Sequence, residues 1–311
     1  MSGYEALRST AAWIDLSNRG KIRVTGEDRA RLMHAMSTND IQHLSSGDGV
    51  YAFFLTAVGR IIADAYIYNL GESLFLDTEP EAAIKLAEHL DKYVIADDAT
   101  LENETEQWAC IGVEGPRALQ LAPQIGISVA EAPYAVSDYQ NGFTTHVSST
   151  GPVGFRVFVP IASKSMLLEQ LETKIVPQAD AAEARVVRIE NGIPRYGDEI
   201  SERYLVQETR QMHAVHSNKG CYMGQEIVER VRSRGQVHRV LMPVRIHGIT
   251  APRPGTKLNA GAAAAGEVAS AEFSPVLGEV VGLAYVRTEA ADVRPELMVA
   301  GTDPPITATI I

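Results

Sequence analysis

Apolar and polar positions alternate along the first 175 residues in two rhythms that follow one another twice. The run "IRVTGEDRARLMHAM" (Ile22 to Met36) opens as an alternating strand and turns at Gly26. It then places Leu32, Met33 and Met36 on one helical face. "CIGVEGPRALQLA" (Cys110 to Ala122) repeats the order, with Gly115 at the turn and Pro116 at a first helical position. "SLFLDTEPEAAIKLAEHL" reads as a short strand and then a helix, and so does "GFRVFVPIASKSMLLEQL", with Pro160 at the boundary. Residues 20–95 and 108–175 therefore read as two copies of one α+β unit: strand–helix, hairpin, strand–helix.

Beyond about residue 237 the rhythm changes. "VHRVLMPVRIHG", "AGEVASAEFSP" and "GEVVGLAYVR" are short Val-rich runs broken by Gly, Pro and Ser, the pattern of a small all-β barrel or sandwich. "GITAPRPGTKLNAGAAAAGE" reads as loop with one strand remnant at Lys257–Leu258, its alanine run turned by flanking glycines. The expected architecture is α+β: a body over 1–236, with halves of about 1–105 and 106–236, and a C-terminal β-barrel domain over 237–311.

Composition narrows the function classes. With 28 Lys and Arg against 39 Asp and Glu, the net charge is −11 and the pI about 5.2. That argues against a broad nucleic-acid or anionic-membrane surface, which needs clustered cations. Two cysteines are too few for a disulfide framework or a four-cysteine metal site. No apolar run has the length of a bilayer span, and the first residues lack the apolar run of a signal peptide, so a cytoplasmic location with reduced thiols is expected.

Chemistry concentrates in "SNKGCYMGQEIVERVRSR" (Ser217 to Arg234). Ile227, Val228 and Val231 form the apolar edge of a helix, and Glu226 and Arg230 make an i,i+4 pair. Cys221 falls just before or at that helix's N-terminus, where unpaired N–H groups favour an anion, and Lys219 could add positive charge. A free cysteine is only about 3% thiolate at pH 7, and lowering its pKa by about two units is worth roughly 2.7 kcal/mol. Gly220 and Gly224 would let another molecule approach the backbone, and Tyr222 offers a flat face. The alternative is a small buried hydrophobe between glycines that merely turn the chain, which is also how Cys110 reads inside "WACIGV". His213, His216 and Cys221 make an incomplete ligand trio, so no metal site is expected.

The string "KGCYMGQE" (Lys219, Gly220, Cys221, Tyr222, Met223, Gly224, Gln225, Glu226) resembles the signature of the YgfZ family, folate-binding relatives of the glycine-cleavage T-protein that support iron–sulfur proteins. "VRIENGIPRYGDEI" is similar to the superfamily's Arg-x-Glu-x-Gly segment, with Glu190 on its acidic position. "AVGRIIADAYIY" is similar to an N-terminal region that carries an acid at Asp64, and "WIDLSNRGKIRVTGEDR" resembles the family's opening. The resemblance implies duplicated α+β units forming a T-protein-like folate-binding body with a central cavity, plus a C-terminal small β-barrel. It implies that tetrahydrofolate or a derivative occupies the cavity, with Glu190 hydrogen-bonded to the pterin, Asp64 near its reactive nitrogens and Cys221 at the mouth. A tight complex lost on Glu190→Ala is then expected.

Three functions follow from that resemblance. In the first the protein is a folate-dependent factor whose clients are iron–sulfur proteins, tRNA-modifying enzymes among them, and Cys221 is reactive. A second is aminomethyl transfer in glycine cleavage, with Asp64 assisting proton movement; where aminomethyltransferases carry Lys/Arg-x-Phe-x-Gly-Lys, this chain has the cysteine-bearing string instead. The third is a folate-binding scaffold without chemistry.

Overall fold

The computed structural model describes residues 1–311 apart from Ile175 and Gln236. The first half runs α1 (Gly3–Ser9), β1 (Ala12–Asp15), β2 (Gly20–Thr25), α2 (Arg29–Met36), β3 (Gly49–Leu55), β4 (Ile61–Asn69), β5 (Leu74–Thr78), α3 (Pro80–Asp91) and β6 (Thr100–Asn103). The second runs β7 (Trp108–Glu114), α4 (Ala118–Leu121), β8 (Val136–Tyr139), β9 (Gly142–Thr145), β10 (Gly154–Pro160) and α5 (Lys164–Thr173). Then come α6 (Ala181–Glu190), α7 (Val206–Thr209) and α8 (Gln225–Arg234). The C-terminal part holds β11 (Arg239–Ile246), β12 (Lys257–Ala260), β13 (Ala263–Ser274), β14 (Glu279–Arg287), α9 (Thr288–Val293), β15 (Leu297–Val299) and β16 (Ile306–Ile310).

The repeated rhythm becomes a repeated topology. One antiparallel sheet has the order β3-β4-β5-β2-β6 and the other, read from its far edge, β8-β9-β10-β7-β1. The first four strands of each correspond one to one. The fifth does not: β1 pairs along β7, Ala12 opposite Glu114, and so completes the second sheet from the chain's N-terminal end. A division at 105 therefore leaves the second sheet without its edge strand, which four residues of "AWID" gave no pattern to reveal.

Each sheet buries a face against helices. Phe155 and Val157 on β10 are 0% exposed and pack with Leu167 and Leu171 of α5, while Phe158, on the other face of the strand, packs with Tyr68 and Phe75 of the first sheet. Removing such side chains from water stabilises by about 1.5–3 kcal/mol each. The C-terminal strands close into a barrel of order β11-β14-β13-β12-β15-β16. Gly261 and Ala262 make the turn, but Ala263–Ala265 of the alanine run lie in β13, since pairing with β12, Ala260 opposite Ala263, outweighs alanine's weak strand preference. The expected body–barrel boundary at 236 falls on Gln236, outside the described residues. No helix among the described residues is long and apolar enough to cross a membrane.

Candidate functional site

A cavity of about 460 Å³ opens between the two sheets and α6, a size typical of small-molecule sites. The hairpin of β3 and β4 supplies one wall. Its register sets Tyr51 opposite Tyr66 and Phe53 opposite Asp64, so Tyr51, Asp64 and Tyr66 share a face. All three line the cavity. The Tyr51 hydroxyl donates to Asp64 Oδ2 at 2.6 Å, and the two tyrosine rings lie 5.0 Å apart. Asp64 is 6% exposed. Burial, and then the negative charge of Glu79, push its pKa up to about 6. A carboxyl group poised there can hold or release a proton near neutral pH.

Opposite stands Arg156 of β10, only 1% exposed. Its guanidinium lies over the Tyr66 ring at 4.7 Å, pairs with Asp77 and donates to Ser149 Oγ at 2.6 Å. Asp77 also accepts from Arg19 Nε at 2.6 Å. Burial alone would raise Asp77, yet the charges of Arg156 and Arg19 hold it below the usual carboxylate range. At the rim, Arg195 meets Glu79 at 2.8 Å and the partly exposed Arg185 pairs with Asp198, while the nearly buried Arg188 is held by Glu199 at 2.8 Å. The lining thus combines aromatic faces, a titratable acid and arginines, a set suited to a flat heteroaromatic ligand with an anionic tail.

Asp64 is the one predicted site residue in this lining. Glu190 closes α6 on another side, where it accepts from Tyr4 Oη at 2.7 Å and Ser274 Oγ at 2.6 Å and pairs with Arg8. It ties α1, α6 and the barrel together. The expectation that it faces a pterin in the cavity is corrected: α6 turns Arg185 and Arg188 inward and Glu190 away.

The signature loop packs against the first half. Lys219 Nζ donates to the carbonyl oxygens of His34, Ser37 and Asn39 at the end of α2, and burial lowers its pKa to about 7. With its donors engaged in these bonds, its charge closes the helix end rather than serving the thiol. Tyr222 is not the expected ligand platform. It is 8% exposed, packs into the first-half core beneath Lys219 at 5.1 Å, and burial raises its phenol to about 12. Gln225 accepts from the Tyr222 backbone N–H through Oε1, while Glu226 is exposed in the first turn of α8. Gly224 has φ +81°, and a Cβ there would lie 2.7 Å from Thr56 O. The close approach is to the protein's own chain, not to a second molecule. Gly220, at φ +97°, turns the loop.

Cys221 is exposed, four residues ahead of the first residue of α8 and outside the cavity lining. It lies before the helix N-terminus, separated from it by the turn through Gly224, and not in the lining of the cavity at whose mouth it was expected. Cys110 is fully buried, its thiol pushed up to about 12 by burial, which suits an inert packing role. Among the described residues no cluster of His, Cys, Asp or Glu is arranged to hold a metal, so His213, His216 and Cys221 do not converge. Sequence reasoning missed Tyr51, Tyr66 and Arg156. The signals were the period-two spacing of Asp64 and Tyr66 and a lone arginine inside "GFRVFVP".

Comparison with known proteins gives a consistent picture. Over 297 residues the chain is 29% identical to an aminomethyltransferase of Rubrobacter xylanophilus, covering 92% of this chain and 78% of that one. Over 305 residues it is 30% identical to an aminomethyltransferase of Chlorobium chlorochromatii, covering 92% and 81%. The crystal structure of glycine cleavage system aminomethyltransferase T from Bartonella henselae shares the fold, with a TM-score of 0.90 at 20% identity over 99% of this chain and 87% of that one. Residues 2–219 match the GCVT N-terminal domain and residues 239–311 the glycine cleavage T-protein C-terminal barrel domain, leaving Cys221 between the two. With both domains matched in order, the chain belongs to the glycine cleavage T-protein family.

Proposed function

We propose that the protein binds tetrahydrofolate, or a derivative, in the cavity between its halves and uses the Cys221 thiol to support iron–sulfur proteins, including enzymes that modify tRNA. Tetrahydrofolate supplies, when bound, nitrogen atoms that carry one-carbon units. Tyr51 and Tyr66 would flank its ring, Asp64 would hold or release a proton beside it, and the rim arginines would meet its anionic tail. What carries the thiol part is the loop itself. Of Lys219, Cys221 and Tyr222, the lysine is spent on carbonyl groups, the tyrosine is in the core, and only the cysteine is exposed. The string "KGCYMGQE" and its resemblance to the YgfZ signature supply the link to iron–sulfur proteins.

Cys221→Ser tests this. The variant is expected to bind tetrahydrofolate normally by calorimetry yet to fail to restore iron–sulfur enzyme activity in cells lacking the protein. Full complementation would remove the thiol from the function.

Asp64 favours a second reading, aminomethyl transfer. A buried acid titrating near 6 at the cavity wall suits proton transfer to and from an amine. Ammonia release from aminomethylated lipoyl carrier protein plus tetrahydrofolate, undiminished in Cys221→Ser, would favour that reading over the first.

A further inference from the structure

The hydroxyl groups along the cavity's inner wall are engaged, with one exception. Tyr51 donates to Asp64, Thr150 donates to Glu114, and Ser149 accepts from Arg156. The Tyr66 hydroxyl has no partner among the described residues, yet it keeps accessible surface, unlike the unpartnered Tyr222 hydroxyl, which is buried. Along β4, Tyr66 is partly exposed, whereas Asp64, Ala65, Ile67 and Tyr68 around it are buried. β4 runs between β3 and β5, so no sheet edge exposes the side chain, and its remaining surface opens into the cavity it lines. Arg156 over the ring at 4.7 Å and Tyr51 at 5.0 Å hold the ring in place and leave the hydroxyl as its free polar point. Burial raises the phenol's pKa against the charges of Arg156 and Arg19, so the hydroxyl keeps its proton and is a donor. Asp64 and Arg156 beside it are 6% and 1% exposed, while Arg185 and Arg195 keep 32% and 26% of their side chains exposed. An uncharged flat head suits the buried end, and a charged tail the open rim.

We infer that the Tyr66 hydroxyl is a ligand contact: it donates to an acceptor oxygen or nitrogen on the flat head lodged at the inner end of the cavity. The assignment rests on the folate reading above, and a tetrahydropterin carries such acceptors in its 4-oxo oxygen and its pyrimidine nitrogen. A free hydroxyl meets water until a ligand arrives, so a head with no acceptor at that point gives up a hydrogen bond without replacing it. Removing the hydroxyl takes nothing from the fold, because no described protein group uses it. Binding and stability therefore part company at this one atom.

Calorimetric titration of the full chain with tetrahydrofolate, native protein against Y66F, tests the assignment. Y66F keeps the ring under Arg156 and is expected to weaken binding about five- to tenfold. Its unfolding midpoint in urea is expected to match that of the native protein. Tetrahydropteroate, which has the head but no glutamate tail, is expected to lose affinity by the same factor. An affinity of Y66F within about twofold of native would overturn the assignment while leaving folate binding intact. So would a loss seen with tetrahydrofolate alone, which puts the hydroxyl on the tail, or a lowered midpoint, which gives it a partner within the protein. Binding of neither compound by the native protein would instead sink the folate reading and this assignment with it.

Discussion

A carboxyl group that is 6% exposed, faces Glu79 and accepts from Tyr51 titrates near 6 instead of 3.8, and that displacement bears on stability. Between about pH 4 and 6 folded Asp64 keeps its proton while the unfolded chain has lost it, so stability falls as pH rises through this window. Above the folded value the whole penalty, roughly 3 kcal/mol, is present. Asp64→Asn is therefore expected to raise the denaturation midpoint at pH 7 by about 2–3 kcal/mol of stability. It should also flatten the pH 4–6 slope and impair any proton transfer, all measurable by urea titration across pH. Asp64 was recognisable from a short strand pattern because residues two apart on a strand share a face. Glu190 misled for a related reason: a motif fixes a residue's position in the chain, but the partners on α1 and β13 that orient it lie 186 and 84 residues away.

At the scale of elements, strand–helix alternation was legible because apolar period and turn glycines agree locally, as in β5–α3 and β10–α5. The alanine run was not, since only its hairpin partner makes it a strand. The loop before α8 was half legible. Its glycines announced turns, but which side chain stayed outside depended on α2 offering three carbonyl oxygens to Lys219. Lys219→Met is expected to destabilise the protein by roughly 2 kcal/mol. Faster amide exchange should be confined to residues 216–223 and the end of α2, as read by hydrogen-exchange mass spectrometry. Unchanged protection there would show that the loop holds itself.

Across the whole molecule, the duplicated sheets could be anticipated, but the exchange of β1 into the second sheet and the junction at Glu190 could not. That junction joins the first helix, α6 and β13, so Glu190→Ala should loosen the barrel from the body. Expected are a loss of about 2–3 kcal/mol and tetrahydrofolate affinity within about threefold of native, because Glu190 is outside the cavity lining. Loss of binding without loss of stability would instead place its carboxylate against the ligand. Tyr51 has a wider reach. Its hydroxyl belongs to the cavity through Asp64, its ring lies against His213 at 5.4 Å, and its carbonyl shares the Asn39 amide with the carbonyl of His213. One phenol ring thus serves the cavity through its hydroxyl and the His213 ring through its face, so a substitution that removes it strips Asp64 of a donor and His213 of its stacking partner in a single stroke.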